Sequence, residues 1–310
     1  MLINGCRQII RTKQRVIRRN NSELSLLRHS AADFEIYLIG TAHVSAESER
    51  NVRETIRAVK PVVVMVELCE DRARHLRLNS NNSRGSTNPN SFEDPFMQQV
   101  SETWETLTSA NGRDMMAAIE EAELIKARVL CGDLKQSDTA AAVKSCIASM
   151  GGKMQLFTRA MQAPPPPRSL EKAANEFGSD IMGAMGSSGS GLFGSLAGFG
   201  LGGQASGGRN TPATKKTMSE AVSAAVEHFK DRKRTREMRG WLGEVSPELM
   251  EVMLERRDKH MFRELAGLAG AVGQVKGAGL RAVAVVGLAH MDGIEGHWAR
   301  EFGASSIQSI

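Results

Sequence analysis

Two histidines of this chain stand in nearly the same company. "YLIGTAHVSAE" runs from Tyr37 to Glu47 and "AVVGLAHMDGI" from Ala284 to Ile294, each an apolar run followed by Gly-x-Ala-His. His43 and His290 therefore each sit just beyond what reads as a buried strand. Glu67 is a third polar group in such a place, interrupting the apolar run "VVVMVEL". Two imidazoles and a carboxylate at strand ends are the donors expected of a divalent transition metal with an open position. Bound there, Mn, Co or Zn lowers the pKa of a water and supplies a nucleophile near neutral pH. On spacing alone the bland reading stays open, in which each histidine is a satisfied structural residue.

Competing chemistries are absent from the sequence. There is no HExxH, no Ser-centred elbow and no P-loop. "GFGLGG" lies in a low-complexity run, not between a strand and a helix, so no nucleotide cofactor is expected.

The elements that must position these groups can be read in order. "FEIYLI" from Phe34 has strand composition. Ser45 suits a helix cap, and Val52, Ile56 and Val59 recur at helical spacing until Pro61 stops the run. "VVVMVEL" reads as a strand buried on both faces, completing a strand–helix–strand unit. A polar loop, Asn79 to Ser91, precedes helical "RDMMAAIEEAELIKA" and a short strand, "RVLCGD". "RAVAVV" and the helix "GIEGHWAREFG" close the chain. Gly40 and Gly287 suit tight strand exits, since glycine tolerates positive φ and close backbone approach. Leu249, Met253, Arg257 and Met261, four apart, predict one helical stripe. A charge at Arg257 on such a stripe must be paired or line a pocket.

The expected fold is α/β, with a mixed, mostly parallel central sheet flanked by helices and paired strand–GxxH–helix units. Ligands in such sheets bind at the carboxyl ends of the strands, where His43 and His290 converge if their strands are neighbours. Residues 1–30 read as a basic extension, with Arg7, Arg11, Lys13, Arg15, Arg18 and Arg19 before the first acid, Glu23. Folded sequence is expected from Phe34, in one domain over 31–303, interrupted at about 163–215 by a flexible Pro/Gly-rich insertion.

Bulk properties narrow the class. The chain has 310 residues, 41% of them hydrophobic and 24% charged, with a net charge of +5. Four scattered cysteines without CxxC exclude a zinc finger or disulfide scaffold and point to a reducing compartment. No run reaches the ~18 apolar residues of a membrane span, so any membrane association would be peripheral, through the basic N-terminus. Aromatics at 5% argue against single-stranded nucleic acid, and "KDRKRTREMR" reads as a solvated helix face, so no nucleic-acid partner is expected. His75 reads as solvated, Cys69 as a small buried hydrophobe, and His297 as a packing partner of Trp298.

Four blocks, in order, resemble the TraB family, which includes PrgY-like proteins and belongs with GumN and Tiki in a wider superfamily. They are "LIGTAHVSAESERNVRETIRAVKPVVVMVELCEDR", "DMMAAIEEAELIKARVLCGD", "SPELMEVMLERRDKHM" and "AVVGLAHMDGIEGHW". The resemblance implies a mixed α/β core with a metal site. Carried over by position, His43, His290 and Glu67 are its ligands or catalytic groups, and Arg72 and Arg257 position an anion or pair structurally. Asp114 stands at the family's acidic position in the second block. Asp114 is a conservative departure of shorter reach, and two further positions depart: Leu134 stands where the family favours Arg, and Arg256 where it has Glu, with Glu255 one residue out of phase. A one-residue shift turns a helical side chain by roughly 100°.

Two classes of function follow. One is a metal-dependent hydrolase of peptide-like bonds, with a peptide or protein substrate. The other is a non-catalytic binding or tethering protein that keeps the fold, in the cytoplasm or at mitochondria. An esterase on the same scaffold is a weaker third.

Overall fold

A computed structural model describes residues 23–29, 34–42, 46–81, 112–173, 175–176, 231–272 and 280–310. His43, Ser45, the N-terminal arginines, the Gly-rich run and most of the 79–91 loop lie outside the described residues.

The chain divides into two compact units, residues 1–142 with 251–310, and residues 143–250. The first holds a six-stranded sheet. Strand β1 (Leu24–His29) runs antiparallel to β2 (Phe34–Thr41). Strand β1 lies within residues 1–30, the stretch read as basic extension. "LSLLRH" earns its place by burying Leu24, Leu26 and Leu27 almost completely. Helix α1 (Ala46–Val59) follows, with Glu47 and Glu49 in its first turn and Arg57 in its last, matching the helix dipole. Lys60 then takes a left-handed conformation, φ 51°, and turns the chain into β3 (Val63–Val66). Helix α2 (Glu70–Asn81) and helix α3 (Arg113–Leu124) come next. A second left-handed lysine, Lys126, φ 59°, leads into β4 (Arg128–Cys131). Both exits from helix to parallel strand use the same device, a C-terminal residue at positive φ.

In the 143–250 unit, α4 (Gln136–Ser149), which begins just before it, is followed by α5 (Lys153–Gln162) and α6 (Arg232–Val245). Asp231 caps α6 by accepting from the Lys233 amide at 2.7 Å, so "RKRTREMR" does start a helix. Trp241 Nε1 donates to the Pro164 carbonyl at 2.8 Å, and Arg159 pairs with Glu248 at 2.9 Å. A short helix, α7 (Pro247–Met250), ends the unit.

The chain returns to the first unit through a π-helical segment, Glu251–Glu255, and helix α8 (Arg256–Val272). Strand β5 (Leu280–Gly287), helix α9 (Leu288–Phe302) and strand β6 (Ile307–Ser309) complete it. The strand order is β4-β3-β5-β2-β1-β6. The first four are mutually parallel and the pair β1–β6 is antiparallel, so the sheet is mixed and mostly parallel.

Period-two alternation feeds a core on each face. Tyr37, Ile39, Val64, Val66, Val283 and Val285 pack toward α1 and α3. Ile36, Leu38, Met65, Ala282, Ala284 and Val286 pack toward α8 and α9. Helices on both faces of a parallel sheet make this an α/β fold, and it leaves only the strand ends open for chemistry.

Candidate functional site

Three adjacent parallel strands bring polar residues to one edge. Asp133 follows β4, Glu67 follows β3, and β5 runs directly into α9, whose first turn carries His290. Backbone hydrogen bonds fasten the exits together: Glu67 donates to the Val285 carbonyl at 3.1 Å, and Asp133 to the Leu68 carbonyl at 3.3 Å. The fourth parallel strand, β2, ends beside β5, with Thr41 opposite Gly287 and its hydroxyl on the Val286 carbonyl at 3.1 Å. The segment containing His43 leaves from that end, and His43 itself lies outside the described residues.

Neither Gly40 nor Gly287 takes a positive φ. Gly287 has φ −61°, an ordinary value. Gly40 is a strand residue whose added Cβ would run into Met291 Sδ and Leu288 Cδ1, so it lets α9 lie directly on β2.

Glu67 is 5% exposed, and both of its oxygens are engaged. Oε2 accepts from the Gly287 amide at 2.5 Å, at the N-terminus of α9, where a carboxylate is favoured by the unpaired amides and the dipole. Oε1 meets Arg257 Nη2 at 2.5 Å and His290 Nε2 at 3.1 Å. Arg257 in turn grips Asp133 through Nε and Nη2, both at 2.9 Å. One guanidinium thus bridges two buried carboxylates, which answers the requirement that a charge at this position be paired. Burial alone would lower the Arg257 pKa; Glu67 and Asp133 outweigh it and raise the value, so the cation is permanent.

His290 is 3% exposed. Its Nδ1 lies 2.5 Å from Asp258 Oδ1, and Asp258 is itself 1% exposed. Burial pushes the imidazole pKa down, but the charge of Glu67 and the ring's hydrogen bonds to Asp258 and Glu67 overcome this, against a smaller push from Arg257. The net result is about 9. At neutral pH the ring is an imidazolium held between two carboxylates, Nδ1–H donating to Asp258 and Nε2–H to Glu67.

The predicted helical stripe does not survive. Met253 is 45% exposed, because the π segment Glu251–Glu255 inserts a register shift ahead of α8. Arg257 and Asp258 reach the site from the first turn of α8, beyond that shift, whereas Glu255 and Arg256 are exposed and take no part. Leu134 contributes its amide, which donates to Asp133 Oδ1 at 2.8 Å. Arg72 stands at the margin, half-buried, with Nη1 3.8 Å from Asp133 Oδ2. Among the described residues no group of three or more His, Cys, Asp or Glu side chains is arranged to hold a metal ion.

Sequence reasoning missed Asp133 and Asp258. Both acids were visible, one two residues past a short strand and one beside Arg257. Single acids in charged segments look like surface until the neighbouring strand is known. It also missed Glu121 on α3, 1% exposed, which takes Arg57 at 2.5 and 2.8 Å and Arg53 at 3.3 Å and ties α3 to α1. His75 is exposed and Cys69 buried, as expected. His297 stacks on Phe262, centroids 5.5 Å apart, and its Nδ1 accepts from Arg300.

The sequence profile of the TraB/PrgY/gumN family matches residues 25–301. TraB domain-containing proteins of Mus musculus, Homo sapiens and Bos taurus are each 51% identical over 43 residues. That stretch is 14% of this chain and spans 11% of each relative's length. The profile match encloses all four parallel strands and every member of the strand-end cluster, and the chain belongs to the TraB/PrgY/gumN family.

Proposed function

We propose that the chain is a metal-dependent hydrolase of peptide-like bonds, working at the carboxyl ends of β2, β5 and β3. The observation that supports this most is the buried line Asp258–His290–Glu67. A histidine whose Nδ1 is held by a carboxylate offers Nε2 as its working donor, the arrangement common among metal-ligating histidines. Nε2 and Glu67 Oε1 are 3.1 Å apart, close to the roughly 3.3 Å separating two ligands each ~2 Å from a tetrahedral ion. Once the Nε2 proton that bridges them is displaced, these two donors have the spacing a divalent ion such as Mn, Co or Zn requires, and His43, which follows β2 by two residues, is the third ligand of the proposal.

When bound, such an ion supplies carbonyl polarisation and a water of lowered pKa. The remaining work belongs to the chain. Asp258 fixes the orientation of His290. The Gly287 amide and Arg257 pin the two oxygens of Glu67. Arg72, half-exposed at the margin, is the cation placed to meet negative charge developing on a substrate carbonyl.

The test is purification in the presence of Mn, Co or Zn, metal quantitation, and a peptide-library cleavage screen of wild type and the His43→Ala/His290→Ala double variant. Bound metal together with cleavage lost in the variant supports the reading. Absence of both bound metal and histidine-dependent cleavage overturns it.

One observation favours the second reading, a binding or tethering protein in the cytoplasm or at mitochondria. Arg257 already pairs with both Glu67 and Asp133, as in a purely structural ion network. On that reading His43→Ala leaves cellular function intact, while deletion of residues 1–22, which spares β1, or of the insertion at about 163–215 abolishes it and alters the protein's distribution on cell fractionation. The reverse pattern rejects it.

A further inference from the structure

The first turn of α8 and the second turn of α9 approach so closely that Asp258 lies against the backbone of Gly293. A Cβ placed on Gly293 would overlap Asp258 Oδ2, Cγ and Cβ. No rearrangement of a flexible tip relieves this, because the aspartate is short and its Cβ is part of the overlap. Oδ1 of the same carboxylate holds His290 Nδ1 at 2.5 Å, and His290 stands three residues before Gly293, one turn earlier on the same helix. The bare Cα of Gly293 is thus the seat on which the carboxylate rests while it faces the imidazole. Glycine inside a helix is otherwise unfavourable, so a packing reason of this kind is what its presence calls for. Gly296, three residues further along α9, is different: its Cβ would stand 4.0 Å from Arg300 Nη1, in ordinary contact.

We propose that Gly293 is a positioning residue: its missing side chain lets Asp258 reach His290 Nδ1 and thereby aims Nε2 at Glu67. The consequence for chemistry rests on the hydrolase reading above, but the positioning does not, and it is read without any activity. In metal-free protein with 15N-labelled histidine, His290 gives an exchange-protected, far-downfield ring proton bonded to Nδ1. Asp258→Asn and Gly293→Ala each remove that signal. Gly296→Ala, which makes the same change of helix propensity on the same helix, retains it. Persistence of the signal in Gly293→Ala, or its equal loss in Gly296→Ala, overturns the proposal.

A thermodynamic arm covers the case in which Gly293→Ala folds poorly. Gly293→Ala lowers the melting temperature in the wild-type background and lowers it much less in the Asp258→Ala background, where the overlapping carboxylate is gone. Equal losses in the two backgrounds also overturn it. If the cleavage screen fails while these signals behave as stated, the hydrolase reading falls and the positioning role of Gly293 stands.

Discussion

Arg257 and Glu67 are 190 positions apart in sequence and joined by a contact of 2.5 Å, with Asp133 gripped by the same guanidinium. The pair links α8 to the exit of β3, and so ties the second pass of the chain through this unit to the first. A buried ion pair of this kind adds little net stability over a well-packed apolar replacement, but its disruption is expensive.

Arg257→Met therefore leaves Glu67 with only His290 and the Gly287 amide, and Asp133 with only the Leu134 amide and a distant Arg72, and about 3–5 kcal/mol of stability is lost. Arg257→Lys keeps the charge but has no planar fork to span both acids, so it falls between wild type and Arg257→Met. Urea unfolding midpoints at unchanged m-value report both.

The imidazolium of His290 gives the metal-free protein a characteristic alkaline limit. Its folded pKa of about 9 lies above the ordinary 6.5, so the folded state binds the proton more tightly than the unfolded chain. That stabilisation is fully present below pH 6.5 and is lost as pH rises through 9, amounting to on the order of 3 kcal/mol. Stability measured from pH 6 to 10 falls across this window in wild type and stays flatter in His290→Gln.

Glu121 sets a limit at the other end of the scale. Arg57, opposed by burial and helped by Arg53, holds its carboxyl below the usual 4.5. Its contribution is present above that value and lost as pH falls through the lower folded pKa. Because Arg57 is largely in water, Glu121→Gln costs only about 1–2 kcal/mol at pH 7. The difference from wild type shrinks as the solution is acidified below pH 4.

Gly40→Ala tests the seat of α9 on β2. The added methyl meets Met291 and Leu288, and overpacking of this kind costs about 1–3 kcal/mol. The displaced first turn carries His290, so any metal affinity drops along with the melting temperature. Gly40→Ala combined with Met291→Ala recovers most of the stability relative to Met291→Ala alone.

Strands β2, β3 and β5 were legible because buried parallel strands have apolar runs with little else to mimic. Glu67 and His290 were legible for the same reason, being polar residues at the ends of such runs. Strand β1 was hidden by the basic sequence before it, and β6, three residues long, carries too little pattern to read. Arg257 announced itself as a charge at an apolar position, although the stripe that suggested it is broken at Met253 by the π segment. Asp258 and Asp133 required the tertiary pairing of strands and helices that no local period encodes.

The site also has a place in time. Thr41 and Val286, joined by a hydrogen bond across the centre of the sheet, are 245 positions apart. Strand β2 is made well before β5 and cannot gain its parallel neighbour until β5 emerges. Such long-range pairing is slow, since loop closure must precede any reward from contact. On the ribosome the fragment carrying Glu67 has no Arg257, no Gly287 amide and no His290 to meet it. The strand-end cluster therefore closes only after α8, β5 and α9 have followed β3 out of the ribosome.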